Sequence, residues 1–343
     1  MWPELIQWYN KHKRDLPWRD TRNPYFIWLS EVILQQTRVD QGLPYYQRYI
    51  HTYPTVFDLA NAPADDVMKL WQGLGYYSRA INMHHTAQIV VNDYAGKFPN
   101  NYDGLIKLKG IGPYTAAAIA SFAFDEPKAV VDGNVFRVLA RVFAEKTPIN
   151  ATNGKKLFST LAQDVLAQDQ PATHNQAMME LGATVCKPTN PLCPDCPLQS
   201  RCLAFAQQMQ SEFPVKLPKN KPTTQHHHYL FIVEDEYTYI VKRDKSSIWK
   251  NLHEPPVFET ADEVAALAHF ENYLPANSKL NKAFETKHQL THRTIYATFW
   301  TANIAKPKQI EQTWEKVHFD ALKKLAVHRL FDKFLNNYNL RQS

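Results

Sequence analysis

Apolar residues recur at helix-like spacing through roughly the first 210 positions, and the pattern then gives way to the shorter alternation of strands. The segments Tyr25 to Val39, Ala64 to Leu70, Ser78 to Asp93, Ala116 to Phe124, Val135 to Phe143, Leu157 to Ala167 and Asn175 to Val185 place apolar side chains three or four apart, and Pro and Gly cut between them. A mostly α domain over 1–210 follows. Residues 211–225 hold Pro214, Pro218, Pro222 and several lysines with few apolar residues, which predicts a linker. Beyond it, Tyr229 to Val233 and Tyr237 to Val241 flank Glu234-Asp235-Glu236 and read as a hairpin. Thr294 to Ile304 and Thr313 to His318 read as strands, and Ala261 to Tyr273 and Asp320 to Asn336 as helices. Residues 226–343 therefore form a smaller α+β domain, which His226-His227-His228 enters as the start of a strand.

With 343 residues and 44% hydrophobic content, the chain is long enough for two cores. No apolar signal core precedes Lys11, His12, Lys13 and Arg14, and no run approaches a membrane span. No membrane role and a reducing, cytoplasmic setting are expected. The net charge of +6 permits a polyanionic partner. Residues 1–210 carry 20 basic and 18 acidic groups and residues 211–343 carry 19 and 15, so any contact with nucleic acid must be local.

All four cysteines fall in one stretch, Cys186, Cys193, Cys196 and Cys202, spaced C-x6-C-x2-C-x5-C. Thiols gathered this tightly around a Cys-Pro-Asp-Cys-Pro turn suit a soft metal centre better than a disulfide framework. Zinc usually takes two closely spaced pairs; one pair flanked by two single ligands favours an iron–sulfur cubane.

Leu108 to Thr115 places Gly110 and Gly112 between helical segments and reads as a helix-hairpin-helix. Such glycines bring bare backbone amides at a helix start against a phosphate, although a simple helix cap followed by a new helix looks the same. Asp132, in Val131-Asp132-Gly133-Asn134, is placed as the N-cap of the following helix, a role worth about 1 kcal/mol that is complete by itself. Glu31 stands among Phe26, Ile27, Trp28, Leu29, Val32, Ile33 and Leu34, where burial would raise its pKa; a solvent-facing glutamate is the alternative.

In order and interval, these features resemble the endonuclease III superfamily of DNA glycosylases, and in detail its MutY-type adenine glycosylase branch. Trp28 to Val39 resembles that branch's acid-bearing helix, Gly73 to Arg79 its DNA-wedging loop, and Val131 to Arg141 its aspartate motif. The resemblance is specific through residues 15–202. It implies a six-helix lobe over about 19–130 and a cluster lobe made of 1–18 plus 131–210, with a [4Fe-4S] cluster held by the four cysteines. Bifunctional members carry a lysine just after the hairpin glycines, where an amine can attack the sugar; here stands Tyr114, which cannot form an imine. The resemblance thus implies a monofunctional enzyme in base excision repair, hydrolysing the N-glycosidic bond of adenine mispaired with 8-oxoguanine or guanine. Glu31 would be the acid and Asp132, beside Asn134 and held by amide donors, the ionised stabiliser of the sugar cation.

By the same resemblance, Trp18, Arg19, Leu34 and Gln176 form the adenine pocket, and some relatives carry a glutamate in place of Gln176. Gln36, Thr37, Tyr76, Gly110 and Gly112 would meet DNA. Core packing is the ordinary alternative for Trp18, Leu34 and Tyr76. Residues 226–343 resemble a Nudix-like module that reads 8-oxoguanine, without the acidic signature of pyrophosphohydrolases. Its reading loop would hold Leu290, Thr291 and His292, where many relatives show Phe-Ser-His. Thr291 keeps a hydroxyl, but Leu290 cannot stack as an aromatic would. One chain per lesion suffices, so a monomer acting on double-stranded DNA is expected. The competing readings are a bifunctional pyrimidine-lesion glycosylase/lyase, and a metal-stabilised DNA-binding protein without catalysis.

Overall fold

The computed structural model describes residues 2–218, 221–244 and 248–338; Lys219 and Asn220 of the expected linker, and residues 245–247 and 339–343 of the expected second domain, lie outside the described residues. The chain forms two compact units, Met1–Asn61 with Asn82–Pro218, and Ala62–Ile81 with Lys219–Ser343.

The helices run α1 (Pro3–His12), α2 (Pro24–Leu34), α3 (Val39–Thr52), α4 (Val56–Asn61), α5 (Ala64–Trp71), α6 (Ser78–Tyr94), α7 (Tyr102–Leu105), α8 (Pro113–Phe124), α9 (Gly133–Val142), α10 (Thr152–Val165), α11 (Pro171–Thr184) and α12 (Leu203–Ala206). The helix expected over Tyr25 to Val39 ends early, and a second helix starts at its last residue. Helix α2 stops at Leu34, Gln36 adopts a left-handed φ of 55°, and α3 begins at Val39. A non-glycine residue in that region is costly, and it turns the chain sharply. Helix α1 buries Leu5, Ile6 and Tyr9, and α3 buries Gly42, Tyr46 and Tyr49, so the buried face of α3 relies on tyrosines.

Helix α8 is Ala-rich and buried from Thr115 to Ala123, so α2 can pack closely against it. Helix α9 turns Val135, Val138, Leu139 and Val142 inward, against Leu5, Tyr9, Phe158 and Leu181. Each such fully buried aliphatic or aromatic side chain contributes roughly 1.5–3 kcal/mol. That packing fixes the N-terminus of α9, where Asp132 sits.

The second unit contains β1 (Thr223–Val233), β2 (Tyr237–Lys242), β3 (His253–Glu254), β4 (Val257–Glu259), α13 (Glu263–Glu271), β5 (Asn281–Gln289), β6 (Arg293–Asn303), β7 (Trp314–His318), α14 (Phe319–Leu322) and α15 (Arg329–Asn337). Its sheets have the orders β4-β1-β6-β5 and β3-β2-β7. The expected β1–β2 hairpin keeps only its turn, where Glu234 and Tyr237 exchange backbone hydrogen bonds of 3.0 and 2.9 Å. Beyond the turn β1 pairs in parallel with β6 and β2 joins the other sheet. Every residue from His227 to Val233 is buried, which suits a central strand covered on both faces rather than one arm of a hairpin.

The helix expected over Asp320 to Asn336 is two. The chain turns at 323–325, Ala326 O accepts the His253 amide at 2.9 Å, and buried His328 caps α15 by accepting the Phe331 N–H, so one helix gives way to the next across this break. Helix α5 and the loop after it pack within this unit: Lys69 Nζ donates to Leu325 O at 3.0 Å and Gln72 Nε2 to Asp332 Oδ1 at 3.0 Å. Among the described residues no helix is long and apolar enough to cross a membrane.

Candidate active site

A cavity of about 700 Å³ in the first unit brings together most of the residues singled out in the sequence. Glu31, on α2, is 5% exposed, and burial pushes its carboxyl up to about 7. Tyr114 enters from the first turn of α8 and donates its hydroxyl to Glu31 Oε2 at 2.5 Å. That bond and the Arg19 charge pull the Glu31 carboxyl down, and the neighbouring Asp132 pushes it up, but desolvation dominates. Burial and the two carboxylates hold the Tyr114 phenol well above its ordinary range, so it remains a donor.

Asp132 caps α9: its Oδ1 accepts the amides of Asn134 and Val135, each at 2.8 Å, and its Oδ2 accepts Asn134 Nδ2 at 2.7 Å. Burial raises this carboxyl above its usual value, while the three donors and nearby Arg137 oppose the shift. The sequence-based expectation named the donors alone; desolvation is the larger influence. Arg137 continues the chain of bonds, donating to Asn134 Oδ1 at 2.9 Å, to Gly182 O at 2.7 Å and to Cys186 O at 2.7 Å. The cap and the start of the cysteine loop are therefore tied to one guanidinium. Capping is thus present, and the same carboxylate faces the cavity.

Trp18, Arg19, Leu34 and Gln176 line the cavity. Trp18 also packs edge-on against Tyr46, with ring centroids 5.2 Å apart, so core packing and cavity lining coexist. Arg19 pairs with fully buried Glu180 at 2.6 Å, and Arg14 pairs with the same carboxylate at 2.8 Å. The two guanidinium groups overcome desolvation and hold the Glu180 carboxyl down at about 2. Gln176 Oε1 accepts the Tyr9 hydroxyl at 2.5 Å, which leaves its amide N–H groups for other acceptors. Arg14, Glu180 and Tyr9 were not singled out in the sequence. Glu180 carried a usable signal, since Ala177, Met178, Met179 and Leu181 surround it much as apolar residues surround Glu31.

In the hairpin, Gly110 takes φ 79°, and a side chain there would meet Asn82 at 2.7 Å, so glycine is required on both counts. Gly112 caps α8 with extended backbone and open space around it, leaving the helix N-terminus accessible. Thr37 lines the cavity and Gln36 stands at the sharp turn beside it.

Tyr76 and the turn expected to read the opposing base lie in the second unit. Tyr76 is 48% exposed with a left-handed φ of 48°, and its hydroxyl is 3.1 Å from the Thr291 hydroxyl. Leu290, Thr291 and His292 form the β5–β6 turn, closed by the Leu290 amide on Arg293 O at 2.8 Å.

The four cysteines are half-buried and line one small pocket with Arg141. Arg141 is buried in α9 and donates to Cys186 Sγ at 3.3 Å and to Lys187 O at 2.7 Å. Among the described residues no group of three or more His, Cys, Asp or Glu side chains is placed to hold a single metal ion. Four soft donors framing one pocket, with a guanidinium on one sulfur, are a donor set that suits a thiolate-held metal group.

Residues 29–163 match the model of the HhH-GPD superfamily base excision DNA repair proteins, and residues 228–337 match the NUDIX domain. The adenine DNA glycosylase of Buchnera aphidicola subsp. Baizongia pistaciae is 36% identical over 301 residues, 85% of this chain and 83% of that protein. The Mus musculus adenine DNA glycosylase is 44% identical over 217 residues, of which the match spans 61% of this chain and 42% of that longer protein. Among solved structures, a thermostable thymine-DNA glycosylase superposes with a TM-score of 0.55 at 29% identity, covering 60% of this chain and 94% of that one. Endonuclease III in a non-covalent DNA complex gives a TM-score of 0.51 at 24% identity, again over 60% of this chain and 95% of that one, a likeness of fold.

Proposed function

The chain belongs to the adenine DNA glycosylase family, and on that premise we propose that it is a monofunctional glycosylase that removes adenine opposite 8-oxoguanine or guanine in base excision repair. The observation that carries this reading is one cavity holding Glu31, poised near neutrality, Asp132, and a tyrosine in place of an amine. No lysine stands among the described residues lining it, so imine chemistry has no nucleophile there.

In the proposed reaction, the extruded adenine lies between Trp18 and Leu34 with Arg19 and Gln176 at its edge. Protonated Glu31 donates to N7, the C1′–N9 bond breaks, and the bonding pair leaves with the neutral base. Asp132 stabilises the cation-like sugar. Water adds to C1′ and returns its proton to Glu31, which restores the acid. With a carboxyl near 7, the acid and base forms of Glu31 coexist at neutral pH, so one group serves both steps.

The open N-terminus of α8 at Gly112 is the proposed anchor for a backbone phosphate, and Gln36 and Tyr76 are the proposed wedges in the base stack. Thr291 is proposed to sense the N7–H that oxidation creates on guanine, with Leu290 and His292 beside it. For the four cysteines we propose a [4Fe-4S] cluster. Bound, it would fix the loop from Lys187 to Arg201 rather than take part in hydrolysis, which needs no electron. A reducing cytoplasm suits these thiolates, and a monomer suffices for the reaction.

The direct test is Asp132→Asn. Duplex binding should persist while excision falls by several orders of magnitude; excision surviving at the wild-type rate would contradict the assignment.

A further inference from the structure

A second cavity, of about 790 Å³, opens in the same unit, walled by Tyr102, Lys128, Phe136, Lys155 and Lys156. It also takes Pro113, Tyr114 and Val131 into its lining, so it lies against the hairpin helix and the aspartate segment on a side the reaction does not use. Asp164 is its one carboxylate among the described residues. Glu126, close in sequence to Lys128, is occupied by the Tyr102 amide at 2.6 Å.

The placement of the cations is the informative feature. Lys155 and Lys156 are the fourth and fifth residues of α10, near its N-terminus, where the helix dipole offers ammonium groups no favourable partner. Both are exposed, and neither ammonium meets a carboxylate among the described residues. Lys128 is half-buried, with its ammonium 4.1 Å from the Tyr102 ring centroid. Three cations around an aromatic-walled hollow, with a single acid, are complementary to an anion that carries a flat or apolar neighbour.

We propose that this cavity is a second phosphate-binding site, which takes the DNA backbone of the strand holding the extruded base, within a few nucleotides of it. The shared Tyr114 wall places such a phosphate beside the hairpin's own anchor at Gly112. Lys155 and Lys156 neutralise the phosphate, and Tyr102 and Phe136 receive the adjoining sugar or base. The proposal deepens the function above and rests on it for the identity of the polyanion.

The test uses the full chain and measures binding separately from cleavage. Anisotropy titrations of an undamaged duplex, and of one with a non-cleavable adenine analogue opposite 8-oxoguanine, are made over a range of salt for wild type and Lys155→Ala/Lys156→Ala. Each neutralised phosphate contributes about 0.9 to the slope of log K against log salt. The double variant should lose about 0.9 of that slope, the contribution of one neutralised phosphate, and bind about eightfold more weakly near 0.1 M salt. Lys155→Arg/Lys156→Arg should keep both, and single-turnover cleavage at saturating protein should match wild type. An unchanged slope in the alanine variant overturns the proposal. So does saturable binding of ADP or inorganic phosphate that the variant loses while its DNA slope stays intact, since the cavity would then serve a free anion. Because the slope is read without cleavage, failure of the wild type to excise adenine would strike the reaction assignment and leave this result interpretable.

Discussion

Replacing Tyr114 with phenylalanine removes one hydroxyl and keeps the ring, which isolates the 2.5 Å bond to Glu31. A hydrogen bond to a charged carboxylate contributes roughly 1.5–3 kcal/mol, and one to a neutral group roughly 0.5–1.5. The midpoints differ by roughly 1.3 kcal/mol, which corresponds to about one pH unit in a titration. The sign follows from the donor: the tyrosine favours the ionised form and pulls the carboxyl down against burial, so its loss moves the Glu31 carboxyl above the value near 7. Excision needs protonated Glu31 and declines as pH rises through that value. The alkaline limb of the single-turnover pH profile should therefore shift upward by about one unit in Tyr114→Phe, with acid-plateau rates within a few-fold of wild type. The assay is alkali-developed strand cleavage of a duplex with adenine opposite 8-oxoguanine. A limb that stays in place, or moves down, would refute either the role of Glu31 as acid or the donation of this bond to its ionised form.

Glu180→Gln should destabilise the first unit by about 3 kcal/mol or more, because Arg14 and Arg19 lose a shared buried carboxylate. The Glu180 carboxyl is depressed to about 2, so its contribution is complete above the ordinary carboxylate range and is lost as pH falls toward 2; the gap between wild type and variant in denaturant titrations should shrink from pH 7 to pH 3. Cys196→Ser should abolish the broad absorbance near ~400 nm expected of a thiolate-held iron–sulfur cluster and lower the melting temperature; a wild-type protein that is colourless and contains zinc would contradict the cluster assignment. Leu290→Phe adds a ring to the β5–β6 turn, and a stacking gain of roughly 0.5–1.5 kcal/mol should tighten binding opposite 8-oxoguanine more than opposite guanine; equal effects on both would remove this turn from lesion reading.

Local signals carried far in the first unit. The apolar surroundings of Glu31 and the capping position of Asp132 were legible because each depends on near neighbours in the chain. Their convergence with Tyr114 came only through the family resemblance, since it requires the packing of α2 against α8 and the docking of α9. Tyr9 meets Gln176 and Arg14 meets Glu180, each across more than 160 residues, and no spacing rule connects them. Helix ends were read less well where a special backbone decided them, as at Gln36. In the second unit, the run from Tyr229 to Val241 has the look of a hairpin, but tertiary pairing with β6 overrode the local turn. Strand β5 went unread because its alternation, Asn281 to Gln289, is almost wholly polar, with Phe284 its lone large apolar residue. The grouping of Ala62–Ile81 with the strands likewise depends on long-range contacts such as that of Tyr77 with Val327.

The central claim is a monofunctional, lesion-directed adenine glycosylase. It is tested most directly by single-turnover cleavage of three duplexes, carrying adenine opposite 8-oxoguanine, adenine opposite thymine, or thymine glycol opposite adenine, each developed with and without alkali. Strand breaks confined to the first duplex, and appearing only after alkali, are the predicted result. Alkali-independent breaks at thymine glycol would contradict it and require a nucleophile other than water.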